Sequence, residues 1–102
     1  MKILVCCEHG NNRSVTFAVL LKYKYKADTI PIGLDTTSGE TLEMLFNWAD
    51  WILLTEKMQQ YKIPEYIRAK VKMFDVGPDI YPRPFNKQLY AIATKIIDQN
   101  PL

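Results

Sequence analysis

A near-continuous apolar run, Ile3-Leu4-Val5-Cys6, stops abruptly at a polar stretch, Cys7-Glu8-His9-Gly10-Asn11-Asn12-Arg13-Ser14. An unbroken apolar run suits a strand buried on both faces, the pattern of a parallel sheet rather than of a half-solvated antiparallel one. A parallel neighbour needs a crossover, usually a helix. The residues after Ser14 supply it, because Phe17, Leu20 and Leu21, with Val15 and Ala18 beside them, fall at helical spacing. The chain therefore opens as strand, polar loop and helix, and the remainder has to build on a parallel sheet.

The remainder repeats that alternation. Lys2 to Cys6 reads as the first strand, and its helix fades in Lys22-Tyr23-Lys24-Tyr25-Lys26, a solvated end whose lysines complement the macrodipole. Ala27 to Leu34 reads as the second strand, and Pro31, which has no ladder donor, argues for a sheet edge. Ser38 or Thr41 can start a second helix carrying Leu42, Leu45, Phe46, Trp48 and Ala49. Trp51 to Thr55 and Val71 to Val76 read as strands three and four, with short helical turns at 56–61 and 65–69 between them. Gly77 to Pro84 holds too many prolines for regular structure. Phe85 to Gln99 closes the chain as a helix with Leu89, Ile92, Ala93, Ile96 and Ile97 on its core face. The order β-α-β-α-β-α-β-α predicts the α/β class: a three-layer α/β/α domain over residues 1–102, with a four-stranded parallel sheet and right-handed crossovers. Ligands of such sheets bind beyond the carboxyl ends of the strands. The loops at 7–14 and 77–84 both lie there, so they can meet.

At 102 residues the chain can bury one modest core. A net charge of +2 is too mild for a nucleic-acid footprint, yet suits a site that attracts an anion. With no apolar run long enough to span a bilayer and a first apolar stretch that reads as a strand, the expectation is a cytoplasmic protein with no membrane partner. Cys6 and Cys7 are adjacent, which makes a structural disulfide improbable. The only histidine, His9, lies two residues from Cys7 with no second Cys/His cluster, so no metal site is expected. Cys6 fits a small buried hydrophobe. Cys7 does not, because it stands where apolar character ends.

Five residues separate Cys7 from Arg13. A loop of that length before a helix can turn its N–H groups inward around a tetrahedral oxyanion, as helix N-termini and backbone nests do. The expected phosphate-binding set is Glu8, His9, Gly10, Asn11, Asn12, Arg13 and Ser14, with the Arg13 guanidinium closing the ring as a bidentate fork. Gly10 gives the loop conformational freedom, Asn11 and Asn12 can brace it, and Ser14 can donate to sulfur. Positive surroundings favour a Cys7 thiolate, the attacking form. Hydrolysis then runs through a cysteinyl-phosphate and needs no cofactor. An acid must protonate the leaving oxygen and later activate water. Asp79, in the proline-bracketed loop, is the first choice. Asp75 is the competitor, although it falls inside the fourth-strand reading, and Asp35 is a third, weaker candidate.

The stretch Val5-Cys6-Cys7-x5-Arg13-Ser14 after an N-terminal strand, with an aspartate loop near the C-terminus, resembles the low-molecular-weight protein tyrosine phosphatase family. Within it the chain is similar to a compact branch found in microbes and phages. Dual-specificity phosphatases match Cys7, Gly10, Arg13 and Ser14 as well, but place the acid before the nucleophile. The resemblance implies the fold derived above, a phosphatase activity, and a phosphorylated substrate, either a phosphoprotein or a small phosphomonoester. The family's Asp-Pro-Tyr is here Asp79-Ile80-Tyr81, and Tyr81 can line the pocket or pack in its loop. Three other readings compete. One is a cysteine phosphocarrier like the IIB components of sugar phosphotransferase systems, which needs neither Arg13 nor an acid. Another is an arsenate reductase, for which Cys6 is badly placed as a resolving thiol. The last is a phosphate-binding module without catalysis.

Overall fold

The computed structural model describes residues 1–102. Four parallel strands, β1 (Lys2–Cys7), β2 (Asp28–Gly33), β3 (Trp51–Leu54) and β4 (Val71–Met73), lie in the order β2-β1-β3-β4. Three α-helices, α1 (Arg13–Tyr25), α2 (Gly39–Trp48) and α3 (Lys87–Gln99), and two 3₁₀ segments at Lys57–Lys62 and Glu65–Lys70 complete the chain. The expected α/β architecture is present, with β1 central and the Pro31 strand at an edge.

Side chains of a strand alternate between its faces, and β1 feeds two cores by that rule. Ile3 and Val5 join Phe17, Ala18 and Leu21 of α1 and Ala93 and Ile97 of α3. Leu4 and Cys6 join Phe46 of α2 and Ile63 and Ile67 on the opposite face. Each fully buried side chain of this kind contributes about 1.5–3 kcal/mol relative to exposure. The same alternation puts Cys6 and Cys7 on opposite faces of the sheet, so only Cys7 turns toward the side on which α1 packs.

The structure corrects several boundaries. β4 stops at Met73, which leaves Asp75 outside the strand that the sequence suggested. α3 starts at Lys87 rather than Phe85, because Phe85 has φ +59° and the Asn86 side chain caps the helix by accepting from Gln88 and Leu89 N–H groups. Ile92, expected in the core, is exposed, while Leu89, Ala93 and Ile97 are buried. Ser38 caps α2 by accepting from Thr41 N–H at 3.3 Å. Both tryptophans, Trp48 and Trp51, are half-buried against the cores.

Candidate active site

Cys7 ends β1 with only 2% of its surface exposed. Its Sγ is the focus of two contacts. Gly10 N–H donates to it at 3.0 Å, and Ser14 Oγ lies 3.0 Å away in a hydrogen bond. The loop doubles back on itself to achieve this, and Gly10 makes the turn at φ +76°. A β-carbon at Gly10 would sit 2.6 Å from Gly33 N, and one at Gly33 would sit 2.4 Å from the His9 carbonyl carbon. Two glycines thus let the loop lie directly on the end of β2. Backbone bonds from Leu34 N–H to Cys7 O (2.8 Å) and from Asp35 N–H to Glu8 O (2.9 Å) continue the strand pairing into the loop and hold it there.

Arg13 opens α1 and is the largest fully buried side chain, 1% exposed. Its Nη1 donates to Glu56 Oε2 at 3.0 Å and to Gly77 O at 2.8 Å. Its Nε is buried without a hydrogen-bond partner. Glu56 follows β3, is 18% exposed on its side chain, and also forms a reciprocal capping box with Gln59 at the start of the 3₁₀ segment. Gln59, itself buried, accepts from the N–H groups of Thr55 and Glu56. Glu56 was legible in the sequence only as the start of a short helix. The signal that marks it is its place: an acid directly beyond a buried strand, at the edge where Arg13 emerges.

The loop from Phe74 to Asn86 crosses the same edge. Gly77 O meets Arg13, and the Asn12 Nδ2 group donates to Tyr81 O at 2.6 Å. Asp79 lies between these two ties, exposed and without a side-chain hydrogen bond. Asp75 is also exposed, but its Oδ1 accepts from Gly77 N–H at 2.7 Å, closing a turn on its own backbone. Asp35 is paired with Lys62, whose ammonium holds the carboxyl below the usual carboxylate range. Tyr81 is buried, and its hydroxyl donates to Val76 O, so it packs within its loop. Of the remaining loop residues, His9 and Asn11 are exposed and Glu8 and Asn12 are half-buried. Asn12 sits at the N-cap of α1 without a side-chain capping bond, and Ser14 is the second residue of the helix, so neither side chain caps it. Beside the arginine clamp a cavity of about 430 Å³ is lined by Glu56, Lys57, Met58, Tyr61, Asp75 and Gly77, among others. Burial in the core pushes the Cys6 thiol well up, with the neighbouring Cys7 adding to the effect. No three His, Cys, Asp or Glu side chains converge to hold a metal ion.

No family model matches the chain, and no curated protein matches it. Solved structures do. The tyrosine phosphatase Wzb from Escherichia coli, in complex with phosphate, superposes with a TM-score of 0.74 at 17% identity, over 96% of this chain and 94% of that one. The fold is that of the low-molecular-weight phosphatases. A low-molecular-weight phosphotyrosine phosphatase from Vibrio cholerae aligns with a TM-score of 0.64 at 16% identity, over 94% and 89% of the two chains. The YwlE arginine phosphatase from Geobacillus stearothermophilus aligns with a TM-score of 0.65 at 16% identity, over 93% and 84%. At these identities the likeness establishes the fold of this chain.

Proposed function

We propose that the protein is a cysteine-dependent phosphate monoester hydrolase, protein-tyrosine-phosphatase-like, which works through a cysteinyl-phosphate on Cys7. The observation that carries this reading is the convergence of Gly10 N–H and Ser14 Oγ on Cys7 Sγ, beside a buried arginine with an unpartnered donor. Gly10 N–H donates to the sulfur, and once the thiol ionises the Ser14 hydroxyl can turn to donate as well, which stabilises the attacking and later the leaving thiolate. The clamp on Arg13 Nη1 leaves the Nε–Nη2 edge as the fork. A buried donor without a partner costs about 1–3 kcal/mol, and a bound oxyanion supplies the missing acceptor.

The chemistry balances in two steps. Thiolate Cys7 forms a bond to phosphorus as the ester oxygen departs, and Asp79 gives that oxygen its proton. The Asp79 carboxylate then takes a proton from water, the hydroxide oxygen bonds to phosphorus, and the Cys7 thiolate leaves with Ser14 donating to it. Loop amides 8–14 and Arg13 hold the equatorial oxygens, where transition-state charge spreads. Asp79 is preferred over Asp75 because its carboxylate is free, whereas Asp75 is engaged by Gly77. The proposed substrate is a phosphoprotein side chain or a small phosphomonoester, a reading supported by structural neighbours that are tyrosine and arginine phosphatases. A nucleophile that must stay reduced suits the cytoplasm. No helix of the chain is long and apolar enough to cross a membrane.

Release of phosphate from an aryl phosphate tests the reading. Cys7→Ser and Arg13→Ala should abolish turnover, and Asp79→Asn should lower kcat by about 10²–10⁴, the usual worth of a general acid. Absence of wild-type turnover, with phosphate still bound, leaves a binding module instead. Full loss in Asp75→Asn beside an unimpaired Asp79→Asn moves the acid to Asp75.

A further inference from the structure

An asparagine at a helix N-cap ordinarily turns its side chain onto the first-turn amides, which is worth about 1 kcal/mol. Asn12 occupies that position of α1 and makes no such bond. Its side-chain amide reaches across 69 positions of sequence instead and donates to Tyr81 O at 2.6 Å. The local gain is given up for a long-range contact, and the contact falls two residues past Asp79.

Neighbouring contacts repeat the pattern. Gly77, Tyr81 and Phe85, four residues apart, are each tied to the start of α1. Gly77 O accepts from Arg13, Tyr81 O accepts from Asn12, and Phe85 N–H donates to Thr16 Oγ1 at 3.0 Å. Thr16 in turn donates to Asn12 O at 2.9 Å, so two of the ties share one hub. Phe85 accepts a left-handed φ of +59° to make its bond, a conformation that costs a bulky residue about 1–3 kcal/mol and persists only where surroundings impose it. Asp79 is midway between the first and second ties. Its own carboxylate is held by nothing, so its placement depends on the loop backbone, which these ties fix to α1 and which the Ile80 N–H to Pro78 O and Tyr81 hydroxyl to Val76 O bonds brace locally.

We infer that Asn12 is a positioning residue: its side-chain amide holds the Tyr81 carbonyl and thereby sets the approach of Asp79 to the leaving oxygen. This rests on the phosphatase reading with Asp79 as acid. The side chain of Asn12 thus serves proton transfer, while its backbone N–H belongs to the phosphate grip.

Two esters with different leaving groups separate these roles. Phenyl phosphate needs an acid at its leaving oxygen, and dinitrophenyl phosphate departs without one. Asn12→Ala should lower kcat on phenyl phosphate about 10–100-fold, part of the worth of a general acid, and change kcat on dinitrophenyl phosphate by less than about threefold. KM and inhibition by inorganic phosphate should stay within about threefold, because the grip is intact. Asn12→Ser guards against loss of fold: serine is a good N-cap but too short to reach Tyr81, so it should be as stable as wild type and show the same ester-selective loss. In an Asp79→Asn background either change should add nothing on phenyl phosphate. Equal losses on both esters, or a change confined to phosphate affinity, overturn the inference. A defective Asp79→Asn beside unimpaired Asn12 variants overturns it alone. An Asp79→Asn enzyme with wild-type rates on both esters overturns the acid assignment and the inference with it.

Discussion

Removing Glu56 should unfold the site from beneath. Arg13 is buried, and its Nη1 meets Glu56 Oε2 at 3.0 Å, with side-chain exposures of 1% and 18%. At an effective dielectric of about 20, two unit charges at that distance attract by about 5–6 kcal/mol before desolvation is counted. Taking one partner from a buried pair costs about 3–5 kcal/mol, because the other charge is left without compensation. Gly77 O still accepts from Nη1 and Glu56 is partly wetted, which points to the low end, about 3 kcal/mol. Loss of the Glu56–Gln59 capping box adds about 1 kcal/mol in Glu56→Ala. Glu56→Gln keeps an acceptor and the cap, and should lose about half as much. At about 4–8 °C per kcal/mol for a domain near this size, a total of about 4 kcal/mol should lower the Glu56→Ala melting temperature by about 16–32 °C. Urea unfolding at neutral pH gives the free energies directly. Inorganic phosphate should recover more stability in Glu56→Gln than in wild type, since a bound anion then supplies the missing negative charge. A Glu56→Ala loss below about 1 kcal/mol, the value of a surface pair, would mean that Arg13 is not held this way.

Other outcomes follow from single contacts. Gly10→Ala should abolish turnover and lower the urea midpoint, because its β-carbon would stand 2.6 Å from Gly33 N at φ +76°; an active, stable variant would mean that the loop has another conformation. Burial raises the Cys6 thiol above its unfolded value, so its contribution to stability is full below about 8.5 and is lost as pH rises beyond it. Cys6→Ala should therefore lose stability less steeply between neutral and alkaline pH, and a parallel decline in unfolding experiments would count against a buried thiol. Lys62 lowers the Asp35 carboxyl, so that pair supports the fold at neutral pH and is lost as acid titrates Asp35 through its lowered value. In Lys62→Ala the Asp35 titration followed by NMR should move upward, and an unmoved one would mean that the exposed pair does not persist in solution.

Much of the architecture was legible because burial leaves a periodic mark. The apolar run at 3–6 announced a central strand, and Pro31 announced an edge. The spacing of Cys7 to Arg13 chose between adjacent cysteines, and strand alternation explains that choice physically: one thiol enters a core, the other meets Gly10 and Ser14. The long-range contacts of the site have no local signature in the sequence. The partner of Glu56 is 43 residues away, and that of Asn12 is 69 residues away, so the sequence near each looks like ordinary capping chemistry. The ends of β4 and α3 differ from the sequence expectation because hydrogen bonds, not residue type, set them. Asp75 and Phe85 have residue types that fit regular structure, but Asp75 closes a local turn by accepting from Gly77 N–H, and Phe85 is drawn out of the helix by its long-range bond to Thr16.

The proposed hydrolysis turns on a phosphoryl group carried on Cys7. Mixing the protein with an aryl phosphate, quenching within the first turnover and mapping the peptides by mass spectrometry tests it most directly. A cysteinyl-phosphate mechanism predicts a phosphoryl adduct on Cys7, none on Cys6 and none in Cys7→Ala. Turnover that persists in Cys7→Ala, or an adduct on any other residue, would contradict it.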